Sequence, residues 1–238
     1  MLQRVLETEA MDSAEQALDY NSMDHGEVNR VFAADLLAAL EKGDGPHLPA
    51  QKGSVPFFTS EILDLGTGTA LIPIELCRRV PNARVLAVDV AEHMLALGRQ
   101  NVEKADLAGR IRLERVDAKR LPYRDGQFAT VISNSIIHHL SDPGMAINEA
   151  WRVTASGGLV FFRDLFRPEN ETVICRLVET YAAGANQRQQ QMLADSFRAA
   201  LTVEEVRQLI IPLGAPPETV RATSDRHWTW TLRKNTII

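Results

Sequence analysis

The amino-acid sequence predicts an α/β protein in which helices cover both faces of a mostly parallel β-sheet. From residue 61 to residue 166, short apolar runs of strand length alternate with longer stretches that have helical periodicity. This alternation is typical of parallel sheets, because each helix carries the chain back to begin the next strand in the same direction. The chain has 238 residues, of which 45% are apolar, so it can bury a sizeable core.

A helical segment is predicted ahead of the sheet. Ser13 and Gln16 have the spacing of a capping box, which predicts a helix that starts there. Residues 27–41 carry apolar side chains at helical spacing, interrupted only by Asp35. Residues 42–58 hold three glycines and three prolines, which predicts an exposed connector.

The alternating region supplies the main strands and their crossover helices. The predicted strands are residues 61–65, 84–90, 111–118, 129–136 and 157–166, and the predicted helices are residues 70–80, 92–105 and 141–153. Pro143 lies in the first turn of the last of these helices, where its missing N–H has no cost. In such a sheet, ligands bind at the carboxyl ends of the strands.

The alternation stops where residues 166–200 begin. These residues are predicted to form a largely helical insertion that acts as a lid or shapes the substrate site. Thr202 and Glu205 then have capping-box spacing, which predicts another helix. Trp228 and Trp230 alternate with polar residues, which predicts a half-buried last strand.

Composition and charge argue against several classes of function. The net charge of −5 gives no general attraction to nucleic acid or to an anionic membrane. A membrane span is not expected, since no long apolar run is present, and the first residues lack the apolar stretch of a signal peptide. Cys77 and Cys175 are the only cysteines, which indicates reduced thiols in a cytoplasmic protein with neither a disulfide framework nor a metal site.

The turn after the first predicted strand contains Gly66 and Gly68. Glycine permits a positive φ and lets backbone N–H groups approach a ligand. The dinucleotide fingerprint G-x-G-x-x-G is not met, because Leu71 occupies the third glycine position, and no Gly-Lys-Ser/Thr follows as in a P-loop. Asp64, two residues before the turn, would repel a pyrophosphate but attract an ammonium group.

Two further acidic residues end the next predicted strands. Asp89 lies where a carboxylate can accept hydrogen bonds from both hydroxyls of a ribose. Asp117 can accept a hydrogen bond from the amino group of an adenine, and the N–H of Ala118 can donate to a ring nitrogen. Together with Asp64, these residues describe S-adenosylmethionine rather than NAD.

With these residues in place, the chain resembles the class I S-adenosylmethionine-dependent methyltransferases. The resemblance rests on four stretches in order, "ILDLGTGTA", "VLAVDVAEHML", "RVDAKRLPY" and "ATVISNSIIHHL", within residues 58–165. It implies a three-layer α/β/α Rossmann-like sandwich with a mostly parallel seven-stranded sheet. It also implies S-adenosyl-L-methionine as cofactor and S-adenosyl-L-homocysteine as product. Residues 58–238 would form the methyltransferase domain, and residues 1–57 a helical segment that covers the cofactor.

The resemblance also assigns residues to parts of the cofactor. The implied cofactor-binding residues are Tyr20, Asp64, Gly66, Thr67, Gly68, Asp89, Val90, Met94, Asp117, Ala118 and Asn134. Asp64 and the glycines would hold the methionine portion, Asp89 the ribose, and Asp117 the adenine. The alternative interpretation is that the strand-end acids cap turns and that Met94 is plain core.

Histidines provide the candidates for a catalytic base. His138 and His139 follow the fourth predicted strand at the edge of the ligand crevice, and histidine can take a proton near neutral pH. A base is needed only if the methyl acceptor must lose a proton. The pair could instead cap the next helix or pack against the cofactor. Tyr20 or His25 in the N-terminal segment could also face the methyl group.

A small molecule is the expected methyl acceptor, with the group of quinone and natural-product methyltransferases as the nearest likeness. The Asn/Asp-Pro-Pro-Tyr/Phe element of enzymes that methylate nucleobases and glutamine is replaced by "SNSI". Arginines and acids balance in residues 166–200, which disfavours a nucleic-acid partner. The alternatives are a protein or RNA methyltransferase, a non-catalytic protein that binds the cofactor or its product, and an NAD-dependent oxidoreductase.

Overall fold

The computed structural model describes residues 2–7, 13–23, 25–41 and 61–235. The predicted connector at residues 42–58 lies outside the described residues, as do parts of the predicted N-terminal segment. Among the described helices, none combines the length and the apolar character that a membrane span requires.

A seven-stranded sheet forms the centre of the molecule. Its strands are β1 (Ile62–Leu65), β2 (Val85–Asp89), β3 (Ile111–Arg115), β4 (Phe128–Asn134), β5 (Thr154–Leu165), β6 (Val220–Ala222) and β7 (His227–Arg233). The strand order is β3-β2-β1-β4-β5-β7-β6, and β7 runs antiparallel to both of its neighbours. The predicted mostly parallel, three-layer sandwich is thereby confirmed.

Eight α-helices are described. They are α1 (Ala14–Ser22), α2 (Gly26–Glu41), α3 (Leu71–Arg79), α4 (Glu92–Lys104), α5 (Pro143–Val153), α6 (Glu171–Tyr181), α7 (Gln187–Ala199) and α8 (Val203–Ile210). Thr202 and Glu205 form a complete capping box, as predicted, whereas Ser13 accepts from the N–H of Gln16 without the reciprocal backbone bond that a capping box has.

The direction of winding reverses beside β1, and this reversal creates the ligand crevice. Strand β1 pairs with β2 on one side and with β4 on the other. The connection that follows β1 and the connection that follows β4 therefore run over opposite faces of the sheet. In open parallel sheets, such a switch point opens a crevice at the carboxyl ends of the strands. Asp64 and Asn134 lie at this edge, near the ends of β1 and β4.

Two apolar clusters cover the opposite faces of the sheet. Leu63 and Leu65 of β1 belong to one cluster, and Ile62 belongs to the other, as expected from the alternation of side chains along a strand. Phe32 and Leu36 of α2 are fully buried in the second cluster, and their packing holds α2 against the sheet.

The prediction of a half-buried last strand was wrong for the first part of β7. Trp228 and Trp230 are 1% and 0% exposed, and the residues between and before them, Thr229 and His227, are buried as well. The physical reason is the position of β7 between β5 and β6, with packing on both of its faces.

Some strand ends also differ from the predicted ones. Strand β3 ends at Arg115, because its partner β2 ends at the paired residue Asp89. Strand β4 ends at Asn134, since Ser135 adopts a left-handed φ of 59° that breaks the ladder. Strand β6 was not predicted; it is three residues long and carries no clear alternation.

Residues 166–200 contain α6 and α7, as predicted, and α7 contacts α1. The side-chain amide of Gln189 donates to the carbonyl of Asp19 and to Ser22 Oγ, both at 3.2 Å. Arg188 forms ion pairs with Glu15 and with Asp19. The insertion is therefore attached to the N-terminal helix.

Candidate active site

The turn between β1 and α3 requires its first glycine. Gly66 has a φ of +68°, and a Cβ atom there would lie 2.6 Å from Cγ2 of Ile136. The N–H groups of Gly66 and Thr67 both donate to the carbonyl of Val88, at 2.8 and 2.9 Å. The turn is thus closed against β2 and against the loop after β4, and no larger residue fits at position 66.

The second glycine connects the turn to the carboxylate at the end of β2. The N–H of Gly68 donates to Asp89 Oδ2 at 2.8 Å, and the N–H of Ala91 donates to Asp89 Oδ1 at 2.9 Å. Gly68 has a φ of +55°. The structure thus brings together the turn and Asp89, as predicted, and fixes the orientation of the carboxylate.

An open cleft of about 340 Å³, part of it continuous with solvent, lies above the turn. The lining residues are Tyr20, Asn29, Asp64, Gly66, Thr67, Thr69, Leu71, Ile72 and Asn134. Five of them were predicted from the sequence. Asn29, Thr69, Leu71 and Ile72 were not predicted. The sequence offered one signal for Asn29, which is its position among the polar residues at the start of α2.

Two acceptor atoms in the cleft are buried without a partner. Asp64 Oδ2 and Asn134 Oδ1 have no hydrogen-bond partner among the residues that the structure describes. Burial, with a smaller contribution from the negative charge of Asp89, raises the pKa of Asp64 to about 7. Both atoms accept hydrogen bonds, so a ligand with an ammonium group would satisfy them and lower the pKa of Asp64 again. These residues fit the methionine end of S-adenosylmethionine.

Helix α1 places Tyr20 beside Gly68, and helix α4 places Met94 there. A Cβ atom at Gly68 would lie 3.7 Å from Cε of Met94 and 3.9 Å from Cε1 of Tyr20. Burial, together with the Asp89 and Asp64 carboxylates, raises the pKa of Tyr20 to about 12. The Tyr20 ring stacks on His25, with ring centroids 4.4 Å apart. Tyr20 is therefore a neutral, aromatic wall of the cleft.

The residues predicted to meet an adenine lie farther along the same sheet edge. Asp117 Oδ1 accepts from the N–H of Lys119 at 2.9 Å and pairs with its ammonium group at 3.3 Å. Ala118 is buried, and Val90 is 40% exposed. Asp117, Ala118 and Val90 do not line the cleft described above; they follow β3 and β2, whose ends adjoin that of β1.

His138 forms a buried pair with a carboxylate that was missed in the sequence. Its Nδ1 lies 2.5 Å from Asp164 Oδ1, and its backbone N–H donates to Asp164 Oδ2 at 3.0 Å. Burial disfavours the charged imidazole, but the Asp164 carboxylate outweighs it, so the pKa of His138 is raised. Asp164 is the eleventh residue of a buried strand, and no local pattern marks it as a partner of His138.

His139 has a different environment from its neighbour. Burial, together with His138, lowers the pKa of His139 to about 3. Its Nδ1 lies 3.6 Å from Oε2 of Glu7, a residue that the sequence did not single out. Neither His138 nor His139 lines the cleft above the glycine turn. The catalytic role predicted for the pair stays a prediction.

Comparisons with known proteins agree with this geometry. Residues 62–158 match the family described as "Methyltransferase domain". The chain is 31% identical over 114 residues to a demethylmenaquinone methyltransferase of Porphyromonas gingivalis, which covers 48% of this chain and 46% of that protein. It is 35% identical over 156 residues to a malonyl-[acyl-carrier protein] O-methyltransferase of Halorhodospira halophila, covering 63% of this chain and 52% of that protein.

The whole described fold has counterparts among solved structures. A SAM-dependent methyltransferase from Aquifex aeolicus superimposes with a TM-score of 0.61 at 14% identity, covering 92% of this chain and 97% of that chain. At this identity the likeness concerns the fold alone. The chain spans about half the length of the curated relatives it matches.

The strand order, the glycine turn with its strand-end acids and the matched sequence region agree with one another. Residues 62–158 match a methyltransferase domain, and the sheet that contains them has the Rossmann-like strand order expected from the resemblance to class I S-adenosylmethionine-dependent methyltransferases.

Proposed function

We propose that this protein transfers a methyl group from S-adenosylmethionine to a small-molecule acceptor. The observation that carries the proposal is the cleft at the glycine turn, where Asp64 Oδ2 and Asn134 Oδ1 are buried without partners in the described residues. The relatives are named as methyltransferases of demethylmenaquinone and of malonyl-[acyl-carrier protein], which supports a small organic group as the acceptor.

The chain's own residues suit each part of the cofactor. Asp64 and Asn134 would accept hydrogen bonds from its ammonium group, and Asp89, held by two backbone N–H groups, would accept from the ribose hydroxyls. Asp117 and Ala118 follow the next strand, where the adenine would lie. The bound cofactor supplies a methyl group on a sulfonium, which is already electrophilic.

The protein's part in the reaction is then to position the acceptor and exclude water. Tyr20, Leu71 and Ile72 provide the apolar part of the lining of the cleft. Holding two reactants in line supplies much of the rate of such a transfer. We place residues 166–200 as a lid that shapes the acceptor site, because α7 is attached to the helix that carries Tyr20.

Proton transfer is needed only for an acceptor that must lose a proton, such as a phenol. For such an acceptor the sequence predicts His138 as the base. The contact between Nδ1 and Asp164 supports this assignment, since it would leave Nε2 to accept a proton. The burial of His138, which is 3% exposed, means that the acceptor would have to reach it from inside the fold.

The cellular location is proposed as the cytoplasm. Cys77 and Cys175 are both free thiols, and the second of them is exposed. Exposed free thiols are typical of proteins kept in reducing compartments.

The first experiment measures binding of S-adenosylmethionine and S-adenosylhomocysteine by calorimetry. We expect micromolar binding to the wild-type chain and at least about tenfold weaker binding to Asp89→Ala, because charge-assisted hydrogen bonds to the ribose are lost. Glu103→Ala, an exposed acid on α4, is the control and should bind as the wild type does. Thermal melts of each variant check that it is folded.

A screen of phenols, carboxylates, amines and quinols for methyl transfer follows. Failure of the wild-type chain to bind the cofactor would contradict the proposal, and NAD would be the next ligand to test. Tight binding with no turnover on any acceptor would favour the non-catalytic alternative.

A further inference from the structure

Glu7, His138 and His139 bring three metal-ligating side chains together beside the loop that follows β4. Each residue places one ligand atom within 4.8 Å of the others. The two imidazole rings have centroids 4.1 Å apart, and His139 Nδ1 lies 3.6 Å from Glu7 Oε2. A separation of 3.6 Å is too long for a hydrogen bond. The three residues therefore face one another without being bonded to one another through these atoms.

Two polar atoms of this cluster are buried and unpartnered in the described part of the chain. They are Glu7 Oε1 and His139 Nδ1. Burying such atoms costs free energy unless a ligand satisfies them. The side chains of His139 and Glu7 are only 13% and 18% exposed, so water has little access to either of these atoms. A neutral imidazole is also the form that binds a metal ion.

Asp164 prepares His138 for coordination. It holds Nδ1 at 2.5 Å, so Nε2 is the nitrogen that His138 has left for a metal. Ligating histidines in proteins almost always give their other ring nitrogen to a carboxylate or carbonyl in this way, which fixes the ring and increases its basicity.

Glu7 is held in place by the contacts of the N-terminal segment 2–7. The guanidinium of Arg4 donates to the carbonyls of His138, Leu140 and Ala199 at 3.1, 2.9 and 2.7 Å. The N–H of Val5 donates to the carbonyl of Arg198 at 3.1 Å. Arg4 thus fastens the segment that carries Glu7 to the same loop that carries the two histidines.

We propose that Glu7, His138 and His139 bind a divalent first-row transition-metal ion, with Zn²⁺ as the reference ion. Two ligand atoms at about 2.1 Å from a tetrahedral zinc ion lie about 3.4 Å apart. The observed 3.6 Å between Glu7 and His139 is close to that separation. Two imidazoles and one carboxylate form a ligand set that leaves a fourth position open.

This site gives the histidine pair a role other than proton transfer. A nitrogen that coordinates a metal takes no proton, so metal binding through His138 and its function as a base exclude each other. The proposal does not depend on methyl transfer, and its test uses metal binding alone.

The test is a titration of the full chain, freed of metal by a chelator, with Zn²⁺ by calorimetry. We expect one ion per chain, and at least about tenfold weaker binding in Glu7→Gln and in His139→Ala, since each removes one ligand. His93→Ala removes an exposed histidine on α4 outside the cluster and should leave the affinity unchanged. Thermal melts without metal show whether each variant is folded.

A second titration with Co²⁺ reports the ligand type. Visible d–d bands without a thiolate charge-transfer band are expected, because all three ligands are nitrogen or oxygen. The proposal is overturned if Zn²⁺ does not bind stoichiometrically, if Glu7→Gln and His139→Ala bind as tightly as the wild type, or if a thiolate band places the ion on a cysteine.

Discussion

The burial of Asp64 lowers the stability of the folded protein as long as no cation lies next to its carboxylate. Its side chain is 2% exposed, and burial raises its pKa to about 7. In the unfolded chain the same group titrates near its ordinary value, about 3.9. The folded state therefore holds the proton more tightly, so the stability that the neutral carboxyl permits at low pH is lost as the pH rises toward and through 7.

We expect Asp64→Asn to stabilise the protein in the absence of cofactor. The gain in free energy of unfolding should be at most about 4 kcal/mol above pH 7, and it should shrink as the pH falls and vanish below about pH 3, where the carboxyl is neutral in both states. Urea denaturation at a series of pH values measures it. The same variant should lose at least about tenfold in cofactor affinity, because a neutral amide accepts a weaker hydrogen bond from an ammonium group than a carboxylate does.

Asp106→Asn is a matched control for this prediction, since Asp106 is exposed and asparagine tolerates its left-handed φ of 57°. It should change neither the pH dependence nor the affinity. A destabilised Asp64→Asn at pH 8, or one that still binds the cofactor as tightly as the wild type, would contradict the account given for this residue.

At the scale of elements, the cover of the cleft depends on how α1 is attached to the body of the protein. Asn101 on α4 donates from Nδ2 to Oδ1 of Asn21 at 2.9 Å and to the carbonyl of Thr69 at 3.0 Å. It thereby connects α1, α4 and the turn with one amide. On the other side, Gln189 of α7 donates to the end of α1.

Asn101→Ala should loosen α1 over the cleft. We expect a loss of about 1 kcal/mol in global stability, from the missing hydrogen bonds, and faster hydrogen exchange confined to α1. Cofactor affinity should fall several-fold, because Tyr20 is then less firmly placed. Glu103→Ala, on the exposed side of the same helix, serves as the control for stability, hydrogen exchange and cofactor affinity. Unchanged exchange in α1 would show that Asn101 does not hold the helix.

At the scale of the whole molecule, one buried cation joins helix α2 to the sheet. Arg163 of β5 is 5% exposed and pairs with Asp35 of α2 at 2.6 Å. Its Nε also donates to Thr229 of β7 at 3.0 Å. The polar residue that interrupts the apolar stripe of α2 is therefore the partner of a buried charge.

Asp35→Ala should destabilise the protein by about 1–3 kcal/mol, because it leaves Arg163 buried without its carboxylate. This loss of stability is smaller than that expected for breaking a fully buried ion pair, since the Asp35 side chain is 50% exposed. Guanidinium denaturation measures the change. Glu27→Ala, an acid on the first turn of the same helix, controls for the loss of a negative charge. If both variants lose the same stability, the pairing with Arg163 contributes nothing specific.

The sequence by itself determined the order of the main strands and helices and the acids at the strand ends. These depend on local periodicity, on capping residues and on glycine turn chemistry, all of which act over a few neighbouring residues. Asp64, Gly66, Gly68 and Asp89 could be placed in one site because parallel strands end at the same edge of the sheet.

Only the tertiary structure decided which distant residues meet. Asp164 faces His138, Glu7 faces His139, and Asp35 faces Arg163, and no spacing in the chain encodes these pairs. The burial of Trp228 and Trp230 likewise depends on the strand added beyond β7, which is too short to carry a pattern. Contacts between residues far apart in the chain arise from packing of whole elements, and periodicity within one element cannot specify its partner.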